Sequence, residues 1–120
     1  DDTGNMETTN AVRILGALAH EHRLGVFRLL VAAGGDGANA GEIAQALELP
    51  PSSLSFHLAA LEAAGLVRAT RDGRFIRYCV EPATVRDLLG YLTEECCAGR
   101  PELCGLAGAR RHVAHKEPQA

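Results

Sequence analysis

The chain is 120 residues long and 47% apolar, carries a net charge of -3 and has four cysteines. No apolar run approaches the roughly 20 residues that cross a bilayer, which argues against a membrane protein. The acidic balance lacks the global basic excess of many nucleic-acid binders, so any surface for nucleic acid has to be local. With no internal repeat, one compact domain with a modest core is expected, and a domain this small is readily completed by a second copy, giving a homodimer. The opening DDTGNMETTN is acidic and polar rather than basic and then apolar, so a cytoplasmic protein is expected.

Residues 1–7 are read as a disordered N-terminus, of which 1–5 precede the only methionine, Met6. From Thr8 to Leu18, the residues Val12, Ile14, Leu15 and Leu18 recur at roughly helical spacing and predict a first helix. The pattern resumes after AHEHR with Leu24, Val26, Phe27, Leu29, Leu30 and Val31, a second helix, until the glycine cluster in AAGGDGANAG imposes a loop over 32–41. A short third helix is expected over 41–47, with Ile43, Ala44 and Leu47 inward, ending before Pro50 and Pro51. Proline in a first turn with serines around it suits a fourth helix over 51–64, where Leu54, Leu58 and Leu61 fall at i, i+4 and i+7 and Gly65 caps the end. Alternation in LVRATRDGRFIRYCV about Asp72-Gly73 predicts a hairpin. After Pro82, the spacing of Val85, Leu88, Leu89 and Leu92 predicts a last helix with Gly90 as its weak point, and beyond Gly105 a mobile tail over 105–120 is expected.

Helices, a hairpin and a final helix in this order make a mainly α, α+β fold: a winged helix-turn-helix flanked by N- and C-terminal dimerisation helices, spanning 8–104. In that arrangement the fourth helix enters the major groove of double-stranded DNA and the wing reaches the backbone. Ser52, Ser53, Ser55 and His57, at its N-terminal end, can hydrogen-bond phosphates or base edges. The wing supplies Arg68, Arg71, Arg74 and Arg77 against one acid, Asp72, and Arg71, Arg74 and Arg77 are the expected phosphate contacts. The plainer alternative is a helix cap for the serines, packing or capping in place for His57, and a solvated surface charge for the arginines.

Taken together, ALAHEHRLGVFRLL, GEIAQALELPPSSLSFHLAALEAAGLV and RDGRFIRYCV resemble the ArsR/SmtB family of metal- and metalloid-responsive repressors over about residues 11–97. The most specific element is Ser55-Phe56-His57-Leu58 followed by Leu61 and Ala64-Gly65-Leu66-Val67. The resemblance implies a homodimer joined through its first and last helices that leaves operator DNA when an ion is captured. His20 stands where a serine or aspartate commonly opens the second helix of that family.

The thiols divide the family's site types. GEIAQALEL has no C-x-C run, and VRDLLGYLTEE offers no histidine for a zinc site, whereas Cys96, Cys97 and Cys104 resemble the arsenite site of members with a Cys-Cys pair and a third cysteine after the last helix. Thiolates select thiophilic ions, and three sulfurs match the pyramidal set of As(III), or of Sb(III), as inducer; no catalytic cofactor is expected. Gly99 and Pro101 let the chain turn back toward the pair. A bond between Cys96 and Cys97 would close a strained ring and constrain almost no chain. The alternatives are incidental thiols, a thiol-redox switch, or a two-sulfur site for a methylated arsenical that pairs Cys79 with Cys96 or Cys97. An enzyme is not expected, because no C-x-x-C lies in a βαβ unit and no base accompanies a nucleophile.

Overall fold

The computed structural model describes residues 6–94. Its elements are α1 (Thr8–Leu18), α2 (Glu21–Ala33), a 3-10 turn (Gly34–Asp36), β1 (Ala38–Asn39), α3 (Ala40–Leu47), α4 (Pro51–Ala63), β2 (Val67–Asp72), β3 (Phe75–Val80) and α5 (Pro82–Glu94). This is the expected mainly helical winged helix-turn-helix, with one addition. Part of the glycine-rich loop forms β1, which pairs antiparallel with β3 through Ala38 opposite Tyr78 and Asn39 opposite Arg77, so the sheet order is β1-β3-β2. Two residues carry too little periodicity to announce a strand, and this one exists because β3 offers an open edge.

Met6, expected in a disordered segment, packs against the core, and Glu7 stands at the N-cap of α1. The core is built from Ile14 of α1, Val26 and Leu30 of α2, Ile43 of α3, Leu54 and Leu61 of α4, and Leu66, all essentially buried. On α1 the inward face is Ala11, Ile14 and Ala17, which leaves Val12 and Leu15 exposed.

Local chemistry fixes the reading head. Asn39 and Glu42 form a reciprocal capping box at the start of α3, each side chain bonding the other's backbone N–H, at 2.8 and 2.9 Å. Glu48, in the left-handed conformation, ends α3 and turns the chain into Pro50 and Pro51. At the far end of α4, the Leu66 N–H reaches the Leu61 carbonyl and the Gly65 N–H the Glu62 carbonyl, a Schellman closure that needs the positive φ of Gly65. Arg13 of α1 donates to the Ala63 carbonyl at 2.8 Å, placing a cation at this negative helix end.

The wing turns one residue later than expected. Asp72 pairs with Phe75, so the two-residue loop is Gly73-Arg74, with the positive φ at Gly73 alone. Gly37 is a second position that glycine alone satisfies: its φ is +66°, and a Cβ there would collide with the Tyr78 carbonyl and Cys79 Sγ.

Candidate nucleic-acid interface

The direction each α4 side chain takes follows from which positions the core claims. Leu54, His57, Leu58 and Leu61 are buried, so Ser52, Ser53, Ser55, Phe56 and Ala59 form the outward surface. Among the described residues the three serine hydroxyls have no protein hydrogen-bond partner, and the N-cap position of α4 is filled by Pro50 without a side-chain cap. The serines are therefore exposed and free to meet an external acceptor or donor.

His57 requires a correction. Its side chain is 6% exposed and turned into the molecule, not toward solvent. The reason is helical phase: position 57 lies beside Leu54, Leu58 and Leu61 on the packed side of α4. There it meets the start of α2. The Arg23 Nε–H donates to His57 Nδ1 at 3.3 Å, and the rings of His20 and His22 stand 4.7 and 5.7 Å from the His57 ring, centre to centre. Burial, followed by the nearby His20, Arg23 and His22, pushes the His57 pKa below its ordinary value of 6.5. A neutral ring also suits Nδ1 as an acceptor. His20 itself caps α2, its Nδ1 accepting from the His22 N–H at 3.1 Å, so an imidazole takes the role of the serine or aspartate common there.

The wing arginines separate in the same way. Arg71 and Arg74 are exposed near the turn. Arg77 is not free: its guanidinium donates to the carbonyls of Asp36, at 2.8 Å, and Gly37, at 3.3 Å, and lies 3.8 Å from the Asp72 carboxylate. It ties the wing to the loop carrying β1, so part of its donor set is already engaged within the protein. Arg68 pairs with Glu81 at 3.1 Å.

Phe56, which has no hydrogen-bonding group, is not among the contacts expected from residue type. It is 67% exposed, with the Arg23 guanidinium 5.6 Å from its ring centre. The signal was present in the spacing of Leu54, Leu58 and Leu61, which sets position 56 almost opposite the buried face.

Cys79 lies apart from this surface. It is 8% exposed, donates through Sγ to the Gly35 carbonyl at 3.5 Å, and lines an apolar cleft of about 420 Å³ between α2 and α5 with Phe27, Leu30, Val85 and Leu89. Cys96, Cys97 and Cys104 lie outside the described residues, as does the segment expected to form a tail. Among the described residues no three His, Cys, Asp or Glu side chains are disposed to hold a metal ion, and no helix is long and apolar enough to cross a membrane.

Known proteins share this arrangement. Residues 18–69 match a helix-turn-helix domain family model. The HTH-type transcriptional regulator YgaV of Escherichia coli is 31% identical over 87 residues, covering 72% of this chain and 86% of that protein. An ArsR-like transcriptional regulator from Rhodococcus superposes with a TM-score of 0.63 at 28% identity, covering 91% of this chain and 92% of the other. The homodimeric winged helix-turn-helix DNA-binding domain from Mycobacterium bovis gives 0.58 at 30% identity, covering 72% and 81%. These relatives are regulators rather than enzymes, and with the reading helix and wing described above the chain belongs to the ArsR-type family of winged helix-turn-helix transcriptional regulators.

Proposed function

We propose that this regulator is an arsenic-responsive repressor: a homodimer on operator DNA that dissociates when As(III), or its chemical analogue Sb(III), binds Cys96, Cys97 and Cys104. The observation carrying this reading is the position of the cysteines in the chain. The pair follows directly on α5, whose Leu89 and Leu92 are 52% and 47% exposed, and the Thr8 hydroxyl contacts the Tyr91 hydroxyl, so α5 meets the start of α1, with its exposed Val12 and Leu15. Exposed leucines and valine on two neighbouring helices fit a seam between copies, and the homodimeric relative from Mycobacterium bovis supports that assembly. A ligand gathering the three sulfurs then acts at the end of the helix that sets the spacing of the two reading heads. The serines of α4, with Arg71 and Arg74, contact the DNA.

The ion needs only to prefer the DNA-free arrangement. A coupling of about 1–3 kcal/mol weakens operator binding roughly 5- to 150-fold. Fluorescence anisotropy on a duplex selected by the protein tests this. Arsenite should release the wild type, and the variant with Cys96, Cys97 and Cys104 all replaced by serine should stay bound. Retention of the wild type in arsenite, or undiminished release of the triple variant, refutes the site. Release by peroxide without sensitivity to arsenite marks a thiol-redox repressor instead. Cys79, buried and bonded to Gly35, is given a packing role.

A further inference from the structure

A phenylalanine with two-thirds of its surface in water is costly unless something covers it in use. Phe56 is 67% exposed, the largest exposure among the large hydrophobic side chains of the described residues. It stands on α4 among Ser52, Ser55 and Ala59, at spacings of four, one and three residues, so all four side chains share one outward stripe opposite Leu54, Leu58 and Leu61. Its neighbours on that stripe are small. They let the helix approach a surface closely while the ring alone projects. The Arg23 guanidinium, held by its bond to His57, lies 5.6 Å from the ring centre and adds positive charge beside it.

The surface this helix approaches is the major groove, so the proposal rests on the DNA-binding reading above. A phenyl ring has no hydrogen-bonding atom and cannot read the donors and acceptors that distinguish most base edges. Thymine is the one base that presents an apolar group there, its C5-methyl. We propose that Phe56 is a specificity-determining residue that reads thymine, its ring covering the C5-methyl group at one position of each operator half-site. The serines then supply hydrogen bonds at adjoining phosphates and bases, and the ring selects T·A at its own step. Cytosine lacks the methyl, and the purines offer only polar edges at that depth.

Replacing thymine by uracil removes the methyl and leaves every pairing and hydrogen-bonding group in place. Duplexes retained by the wild-type protein are selected from a random pool, and each thymine of the consensus is changed in turn to uracil. At one position per half-site the wild type should bind the uracil duplex about fourfold more weakly, as expected for one lost methyl contact, and about 15-fold more weakly when both half-sites are changed. Phe56→Ala should bind the thymine and uracil forms equally, and Phe56→Leu should keep part of the preference. The thymine-to-uracil ratio is read within each protein, so a change in folded fraction does not alter it. The assignment is overturned if no uracil substitution weakens the wild type, or if Phe56→Ala discriminates as strongly as the wild type. Failure to retain any duplex overturns the DNA-binding reading and this one together, whereas retention without sensitivity to the methyl overturns only the role of Phe56.

Discussion

At His57 a single side chain joins the reading helix to the helix behind it, and its titration has consequences for stability. The imidazole is buried, accepts from Arg23 and is held below its ordinary pKa of 6.5. When pH falls through 6.5, the unfolded chain takes up a proton that the folded chain resists, so the unfolded state binds more protons there. Stability is therefore full above pH 6.5 and declines below it, until the folded form is protonated as well. Thermal unfolding midpoints should be level from pH 8 to 7 and fall below 6.5, and His57→Gln should flatten that decline. An unchanged decline in the variant would assign it to other groups. Arg77 is the counterpart on the wing. Removing its bonds to Asp36 and Gly37 with Arg77→Ala should lower stability by about 1–2 kcal/mol in urea unfolding, because two backbone carbonyls of the loop before β1 lose a charged donor. The exposed Arg71→Ala should leave the unfolding curve unchanged.

Among the elements, those with long apolar periods and distinct end signals were legible before the structure. The bounds of α1 fall where Thr8 and Leu18 placed them, and α4 begins at Pro51 and closes on Gly65 as its residues required. Where an element differs, the cause is either a contact remote in sequence or a local cap or pairing that apolar periodicity does not show. Strand β1 has two residues and depends on the edge of β3, 38 or more positions away. The start of α2 at Glu21 lies ahead of the first apolar repeat at Leu24, because His20 supplies a cap that propensity alone does not advertise. The hairpin was visible in its alternation, yet its turn moved to Gly73-Arg74, since pairing of Asp72 with Phe75 was decided by the strands.

For the whole molecule, the exposed apolar residues of α1 and α5 point to assembly. Val12 and Leu15 are 61% and 40% exposed, and on α5 Leu89 and Leu92 are 52% and 47% exposed. Leu15→Glu places a charge in that seam without disturbing Ile14 or Ala17, so the variant should remain folded but sediment as a monomer in analytical ultracentrifugation, with operator binding weakened at least tenfold. A dimeric Leu15→Glu would exclude this face. The order of helices and hairpin, the outward serines of α4 and the thiols after α5 could all be read from the chain, because periodicity, turn chemistry and residue type are local properties. The tertiary structure alone decided that Arg77 is tied to the carbonyls of Asp36 and Gly37, that His57 packs against the start of α2, and that Gly37 lies against Tyr78 and Cys79 of β3. Those outcomes depend on which side of each element the core claims, and that is settled by packing among segments far apart in sequence.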